Sequence, residues 1–405
     1  MKLHIYNLNK LKDKVIIDLE NRINIYKKNY FLELRVNNER YLINEKYIEG
    51  KSTNQVEDIY NIKSNSLPMF TVIENKVITD TTRKNNEYKI INGAQIKYTK
   101  FIKCKFKYIK FIKCDFYGST FSNCSFTDIV FEECNFYNDD SGVMFYKGGY
   151  FDKVILNKCN IKKSIFQNIN FEDIKFINSN LEESILDNND VNIFKIKDCD
   201  FKGTKIVNTS IKKLIFEDEQ LTKFDENTFI DIKIKDKNYK IYYENTSRVY
   251  RIIAHVFEKN NLLDYYGEYY YLSKLLENKA LSGFEKIKSH LFWILCGYGE
   301  RPTYTLITSI EIILIFAITY MFTGLAINGK VINYREIFSQ GITFKYDMNM
   351  DFIKALYFSI TTFTSVGYGD ITPIGISIVL AGIEMFLGVT MVGIWTATLA
   401  RKIIR

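Results

Sequence analysis

Seven consecutive residues in the last part of this 405-residue chain are suited to binding a cation through oxygen atoms. They are Thr364, Ser365, Val366, Gly367, Tyr368, Gly369 and Asp370. Glycine adopts backbone conformations that other residues avoid, so Gly367 and Gly369 allow the chain to turn its carbonyl oxygens to one side. Carbonyl oxygens arranged in this way can replace the water around a cation. Residues 364–370, called here the cation-binding segment, thus have the residue types that a cation site made of backbone atoms requires.

Three elements flank this segment and would hold it in place. Residues 305–327 and 374–400 each contain one charged residue and are long enough to cross a bilayer core of about 30 Å. Residues 351–363 have an amphipathic helical pattern and are too short to cross. They lead directly into Thr364. We therefore predict two membrane spans with a short helix and the cation-binding segment between them.

This order of span, short helix, Gly-Tyr-Gly-Asp and second span resembles the two-transmembrane potassium channels, whose pore helix leads into a Thr-Val-Gly-Tyr-Gly selectivity filter. The resemblance implies a homotetramer that conducts K⁺ passively through a central pore. In it, residues 301–405 would form the pore domain, residues 351–363 the pore helix and residues 364–370 the filter. K⁺ would be the permeant ion, and no cofactor is expected.

Two residues depart from the pattern of that family. Ser365 stands where threonine is usual, and the lost methyl group is expected to loosen the packing around the innermost ion site. A weakly selective cation channel is therefore the alternative to a potassium-selective one. Thr361 replaces a glutamate that some members carry behind the filter, so that form of filter inactivation is not expected.

The charges beside the spans predict their orientation. Arg301 precedes the first span, and basic residues follow the second, at Arg401, Lys402 and Arg405. Because such residues stay on the cytoplasmic side, we expect a multi-pass cell-membrane protein with both termini in the cytoplasm. The N-terminal segment 1–14 lacks the apolar stretch of a signal peptide. Residues 281–296 form an amphipathic helix suited to the lipid surface, and packing against the preceding helices is the alternative.

Three residues inside the spans are further candidates for function. Glu311 and Glu384 lie in apolar segments, where an ionised carboxylate is costly and usually functional. We expect Glu384 to be neutral and hydrogen-bonded to a neighbouring helix. Gly388 lies close to the place where the family bends its inner helix, so it is either a gating hinge or a close-packing glycine. A second Gly-Tyr-Gly, at residues 297–299, precedes the first span and is interpreted as a turn.

A five-residue period runs through residues 91–221. Every fifth residue from Ile91 to Leu221, except Ser141, is large and apolar or aromatic, and the residue two places earlier tends to be small. Neither the helix period of 3.6 nor the strand period of 2 generates this pattern. It resembles the pentapeptide-repeat family, which implies a right-handed quadrilateral β-helix with four repeats per coil and a coil spacing of about 4.8 Å.

Six of the seven cysteines share the small inward position of this repeat. They are Cys104, Cys114, Cys124, Cys134, Cys159 and Cys199. Because stacked inward thiols in a reducing cytosol have no accessible thiolate, we interpret them as small space-filling residues. A redox or metal ladder is the alternative.

Two local features of the repeat region are a cluster of lysines and a stretch with a weaker period. Seven lysines and no acid lie between Lys97 and Lys113, which predicts a solvated surface, with contact to anionic lipid headgroups as the alternative. Residues 139–149 weaken the period without shifting it. A loop at one corner of the coil would explain this weakening.

The flanking regions predict a cap and a linker. Residues 1–90 contain short alternating runs at 30–36, 41–43 and 70–73, which predict hairpins and a β-rich N-terminal cap. Residues 222–300 read as a linker with two helices over 247–279, broken near Asn260-Asn261, and the amphipathic helix that follows. We expect the β-helix to regulate the pore and to bind an unidentified cytosolic ligand or protein.

Composition argues against other classes of protein. The net charge of +8 comes without an uninterrupted basic tract, so nucleic acid is not an expected partner. His4, His255 and His290 are scattered, and no catalytic or metal-binding constellation is found, so an enzyme is not expected. A soluble pentapeptide-repeat interaction protein, like the DNA mimics that inhibit topoisomerases, is the remaining alternative, but it requires an acidic surface and no spans.

Overall fold

The computed structural model describes residues 12–25, 27–28, 72–79, 88–138, 143–146, 148–236, 239–327, 329–339 and 347–404. The chain divides into two units, Met1–Ala280 and Leu281–Arg405. The strands of the first unit are β1 (Val72–Glu74), β2 (Val77–Thr79), β3 (Lys89–Asn92), β4 (Lys100–Ile102), β5 (Lys105–Ile112), β6 (Thr120–Ser122), β7 (Ser125–Glu132), β8 (Met144–Tyr146), β9 (Gly149–Asn157), β10 (Ile165–Gln167), β11 (Ile169–Ile177), β12 (Ile185–Asp187), β13 (Asp190–Lys197), β14 (Lys205–Phe216) and β15 (Phe229–Ile232). The helices described in this unit are α1 (residues 12–25), α2 (Lys240–Lys259) and α3 (Leu263–Ala280).

The strands stack into a solenoid because each one pairs in parallel with its counterpart one coil along the chain. Phe106 lies opposite Phe126, and Phe111 lies opposite Phe131, so each partner is four repeats further along. The rings of Phe106 and Phe126 stack inside the solenoid with centroids 4.7 Å apart. Large residues at every fifth position therefore fill the interior, and four repeats complete a coil. The predicted β-helix is confirmed.

The small inward residues close hydrogen bonds between coils. Ser184 Oγ donates to the carbonyl of Ile161 in the preceding coil, at 2.8 Å. The thiol of Cys124 makes the equivalent contact with the carbonyl of Phe101, at 3.4 Å. A larger side chain would push the two coils apart, because the interior is closely packed. This explains why alanine, serine, threonine and cysteine alternate at one register position.

One coil is longer than its neighbours. Phe126 pairs with Phe151, which is five repeats further along and not four, because this coil contains one additional repeat length. The every-fifth frame survives beyond the insertion, but within it the inward residue is Phe145, stacked on Phe121 with centroids 4.9 Å apart. The prediction of an unshifted frame is therefore wrong inside this coil. Residues 139–142 and 147, part of the predicted corner loop, lie outside the described residues.

The solenoid begins earlier than the five-residue period. β1 pairs in parallel with β4, β2 pairs in parallel with β5, and the chain bends between them at Asn75, where φ is 53°. The hairpin predicted around residues 70–76 is therefore wrong, because these strands join the stack of coils rather than each other. The other runs predicted as hairpins, at residues 30–36 and 41–43, lie outside the described residues.

Helix α1 covers an outer face of the solenoid. Leu19 is buried against Ile165 and Ile185, which point outward from two successive coils. Lys12, at the start of the helix, forms an ion pair with Asp231 at 2.7 Å. The sequence predicted a β-rich cap over residues 1–90, but residues 12–25 of that region form this helix.

Helices α2 and α3 close the far end of the solenoid. The amides of Ile230 and Ile232, in the last strand, donate to the hydroxyl oxygens of Tyr269 and Tyr250, both at 2.9 Å. These bonds satisfy backbone groups that a terminal coil would otherwise leave unpaired. Burial raises the pKa of Tyr269, so its hydroxyl keeps its proton. The predicted break between the two helices is confirmed, and the structure places both helices with the solenoid.

The second unit contains α4 (Gly283–Cys296), α5 (Pro302–Thr323), α6 (Tyr334–Ser339), α7 (Met348–Phe363), α8 (Ser377–Ile404) and the strands β16 (Leu325–Ile327), β17 (Lys330–Ile332) and β18 (Ile371–Pro373). Within the described residues, α5 and α8 are long and apolar enough to cross a membrane. α5 ends before residue 327 because Gly324, with φ 116°, leads into β16. α8 begins after residue 374 because residues 371–373 pair with β16.

Candidate functional site

The predicted cation-binding segment follows directly from α7, which is anchored at both ends. The Asp347 carboxylate accepts two backbone amides of the first helical turn, at 3.2 and 3.3 Å, and so caps the helix. Asp351 accepts a hydrogen bond from Tyr334 Oη at 3.1 Å, which ties α7 to α6. The structure thus contains the helix predicted over residues 351–363, and it begins at Met348.

The backbone of residues 364–370 alternates between two conformations. φ is positive at Ser365 (58°), Gly367 (52°) and Gly369 (80°), and it is not positive at the residues between them. Alternation of this kind turns successive carbonyl groups to the same side, as a row of cation ligands requires. The amides of Val366 and Gly367 both donate to the Thr361 carbonyl, at 2.9 and 3.2 Å. The end of α7 therefore fixes where the row begins.

The two departures from the potassium-channel pattern have local explanations. Ser365 has a left-handed backbone, which a β-branched threonine tolerates less well than serine does. Its amide donates to the carbonyl of Thr362 at 3.0 Å. The Thr361 hydroxyl donates to Phe358 O in its own helix, at 3.0 Å. Thr361 therefore contributes its carbonyl to the segment while its side chain stays with α7.

The aromatic residues behind the segment pack differently from one another. The ring of Tyr368 stacks on Tyr357 with centroids 6.4 Å apart and an interplanar angle of 5°. The ring of the next residue, Phe358, instead contacts Tyr320 on α5, with centroids 4.9 Å apart. The difference arises because successive residues on α7 point in different directions. Beyond the segment, Ile371 of β18 pairs with Ile327 of β16.

The segment is incomplete in one chain. All seven residues are exposed, including large side chains such as Tyr368 at 72% and Val366 at 53%. One copy offers carbonyl oxygens from one direction, whereas a dehydrated cation must be surrounded. α8 likewise leaves apolar side chains uncovered, such as Phe386 at 74%. Exposed apolar surface on this scale marks a surface that lipid or another copy covers.

Glu384 joins three helices. Its carboxyl group is fully buried and accepts a hydrogen bond from Tyr320 Oη of α5 at 2.7 Å. It also contacts the hydroxyl of Ser359 on α7, and that hydroxyl lies 2.8 Å from the carbonyl of Ile313. A hydroxyl carries one hydrogen, so both Ser359 contacts are satisfied when the carboxyl group is protonated and donates. The expected hydrogen bond to a neighbouring helix is confirmed.

The other two intramembrane candidates differ in their surroundings. At Gly388, an added Cβ would lie 1.9 Å from the carbonyl oxygen of Phe363, so α8 approaches the end of α7 as closely as glycine allows. This close approach explains through packing why residue 388 is a glycine. Helix α8 continues past Gly388 without a break. The gating hinge stays a prediction. Glu311 is exposed on α5 in the single chain.

The amphipathic helix and the second Gly-Tyr-Gly lie next to each other. α4 packs against α5 and α8 and leaves Phe284, Ile287 and Leu291 exposed. Its end is closed by Gly297, which has a left-handed backbone. Residues 297–299 form a single tight turn, as predicted, and not a second cation-binding segment.

Three of the seven lysines on the first coils, Lys97, Lys110 and Lys113, form ion pairs with acids from the next coil. Lys97 lies 3.6 Å from Asp115, and Lys110 lies 2.5 Å from Glu132. These pairs are partly exposed, so each contributes little to stability. Their geometry favours the predicted solvated surface over a site for lipid headgroups.

The six repeat cysteines are buried and free. Burial raises the pKa of the Cys199 thiol to about 12, and burial also raises the pKa of Cys134. These two thiols are held protonated and are poor nucleophiles. A hydrogen bond with Cys124 instead lowers the pKa of the Cys104 thiol to about 7. All six side chains are at most 2% exposed, so it is their burial that favours the space-filling role over a redox ladder.

Replacing all six repeat cysteines with serine should lower the melting temperature and leave the protein indifferent to oxidant and reductant. Loss of each well-fitted thiol costs on the order of 1 kcal/mol, because cavities or shifted contacts remain. The measurement is a thermal melt, together with activity in hydrogen peroxide and in dithiothreitol. A redox response of the natural protein that disappears in the variant would contradict the space-filling role.

Comparison with known proteins identifies two regions of the chain. Residues 335–405 match the family described as ion channel. Residues 101–141 match the pentapeptide repeats. No curated protein shows significant sequence similarity to the chain. Both matched regions coincide with structures already described: the first with α7, the cation-binding segment and α8, and the second with the solenoid.

Two solved structures of trypsin-treated QnrB1, a plasmid-mediated fluoroquinolone resistance protein, resemble the solenoid. One has 17% sequence identity and a TM-score of 0.26, and it covers 41% of this chain and 79% of its own. The other has 18% identity and a TM-score of 0.21, and it covers 40% and 91%. Likenesses this weak carry no argument about function.

Proposed function

Since this chain joins pentapeptide repeats to an ion-channel domain, we propose that four copies of it form a potassium-selective channel in the cell membrane. The observation that carries the proposal is the alternating backbone of residues 364–370, held at the end of α7 and exposed in the single chain. Four such segments around one axis would surround a dehydrated K⁺ with carbonyl oxygens. Their hydroxyl and carbonyl groups replace the hydration shell, so conduction is passive and needs no cofactor.

We also propose that the pore selects K⁺ over Na⁺. Both glycines that the filter geometry needs are present, at Gly367 and Gly369, and Tyr368 is braced by Tyr357. Ser365 can adopt its left-handed conformation and still present a hydroxyl at the inner end of the row. These features support selectivity for K⁺ over Na⁺ despite the missing threonine methyl group.

The proposed orientation places both ends of the pore domain in the cytoplasm. Arg301 and Arg401 lie at the ends of α5 and α8 that share one side. α4 lies on that side, and its exposed Phe284, Ile287 and Leu291 suit the boundary between headgroups and acyl chains of the inner leaflet. The partners of the channel are then three further copies of the chain and the membrane lipid.

The solenoid is proposed to regulate the pore. A cleft of about 340 Å³ lies between the outer face of β11, β13 and β14 and the start of α2, lined in part by Asp190, Lys212 and Lys233. A small polar ligand would fit the mixed charges of this cleft. The alternative of a soluble interaction protein does not account for two apolar helices beside an ion-channel match.

The test of the proposed function is an electrical recording from the purified full-length protein in planar bilayers. With K⁺ on one side and an equal concentration of Na⁺ on the other, we expect a reversal potential far from zero, with the sign that opposes K⁺ flow, because Na⁺ permeates much less well. A reversal potential near zero, with clear current, would favour the weakly selective cation channel. Absence of current under all voltages, together with solubility without detergent, would contradict the channel assignment.

A further inference from the structure

An ion pair connects the turn after α4 to the end of α8. Arg401 Nη2 lies 3.1 Å from Glu300 Oε1. The Glu300 side chain is only 2% exposed, whereas that of Arg401 is 43% exposed. A carboxylate that is this deeply buried is costly without a cation beside it, so the pair differs from an ordinary surface ion pair.

The turn that carries Glu300 is built tightly. The Glu300 amide donates to the carbonyl of Gly297 at 3.1 Å, and the Arg301 amide donates to the carbonyl of Cys296 at 3.3 Å. A Cβ at Gly297 would lie 2.7 Å from the Arg301 side chain, so the turn leaves no room for another residue there. Glu300 is therefore fixed in position relative to the end of α4.

Helix α4 is joined to α5 as well as to this turn. Thr308 Oγ1 of α5 donates to the carbonyl of Ile294 at 3.0 Å, and the rings of Trp293 and Tyr304 lie 6.2 Å apart. α4, the turn and the start of α5 therefore move together. Through the ion pair between Glu300 and Arg401, these three elements are also joined to the end of α8.

We propose that the Glu300–Arg401 pair is a gating latch, and this proposal rests on the proposed function, in which α8 lines the pore. Residues 281–300 lie between the solenoid unit and the first span in the sequence, so a signal transmitted along the chain from the solenoid reaches α4 first. The latch gives that signal a direct route to the end of α8, in addition to the route through α5. Glu300 and Arg401 are positioning residues, since neither belongs to the filter.

The latch predicts an asymmetric response to mutation. Arg401→Gln removes the cation that lies beside the buried Glu300 carboxylate, so the conformation that joins the two residues loses stability, and open probability should change by at least about fivefold. Glu300→Gln removes the buried charge as well and should change open probability less. The double variant should behave like Glu300→Gln alone. Arg401→Lys keeps a cation and should stay closer to the natural protein.

The experiment compares these full-length variants by single-channel recording in the same lipid. Glu285→Gln and Lys402→Gln serve as matched controls, because both residues are exposed and each loses the same charge. In every variant, unitary conductance and reversal potential should equal those of the natural protein. A parallel cycle of thermal melts measures the coupling of the two residues without any current.

Three outcomes would overturn the latch. In the first, the effects of Glu300→Gln and Arg401→Gln on open probability add in the double variant. In the second, the two control variants change open probability as much as the latch variants do. In the third, the latch variants change unitary conductance and leave open probability unchanged. If the natural protein carries no current, the proposed function fails and the gating role fails with it. A coupling that persists in the thermal melts would then show that the pair is structural only.

Discussion

Gly367→Ala should abolish potassium selectivity or stop conduction, while the protein still folds and assembles. Gly367 has φ 52°, and an added Cβ there meets no atom within 4 Å in the single chain. The expected effect therefore comes from the backbone. A left-handed alanine costs roughly 1–2 kcal/mol, and a tetramer incurs this cost in each subunit. Relaxing away from that conformation turns a carbonyl oxygen out of the row of ligands.

The measurement is the ratio of K⁺ to Na⁺ permeability from reversal potentials, which we expect to fall by about tenfold or more where current remains. Gly375→Ala is the matched control. Gly375 has φ 56° and likewise meets no atom within 4 Å, but it lies outside the filter. It should therefore cost similar stability and keep normal selectivity. Normal selectivity in Gly367→Ala would exclude residues 364–370 as the filter.

The five-residue period predicted the solenoid well because its cause is local and repeated. Each coil places the same kind of side chain inward, so the interior can be read from one register. The period failed where the coil length changed. The last coil places Phe224 beside Phe201 and Ile230 beside Ile206. The sequence separation within each pair is not a multiple of five residues, and it differs between the two pairs. A five-residue period could therefore not predict either pair.

The candidate site was likewise predicted from the sequence only in part. The order of span, short helix and Gly-Tyr-Gly-Asp is a local signal, and the structure contains those elements nearly as predicted. The partners of Glu384 are far apart in sequence: Tyr320 is on another helix, 64 residues away. A period or motif carries no information about such a contact. The pairing of β16 with β18 was missed for the same reason, because three-residue strands have no detectable periodicity.

Helix α1 was missed for a different physical reason. It is a short helix whose Leu19 gains its stability by covering Ile165 and Ile185, which the repeat leaves outward-facing. Isolated helices of this length are marginal in water. Its presence therefore depends on the solenoid surface and not on its own sequence.

Deleting residues 1–280 should leave a tetramer that conducts K⁺ with natural unitary conductance and selectivity and with an altered open probability. The filter, both apolar helices and the latch all lie within Leu281–Arg405, so the conduction path keeps its parts. A ligand or domain can shift gating only by the difference in its free energy between closed and open states, which typically amounts to about 1–3 kcal/mol. We therefore expect open probability to change by about 5- to 150-fold.

The position of the cut matters, because Phe257 and Tyr269 of α2 and α3 belong to the same core as the solenoid. A cut at residue 240 would expose that apolar face and should yield an aggregating protein, whereas the cut after Ala280 removes the unit as a whole. Both truncations and the full chain would be recorded in the same lipid at the single-channel level. If the cut after Ala280 changes unitary conductance or selectivity and leaves open probability alone, the solenoid belongs to the conduction path. A regulatory solenoid requires the opposite result.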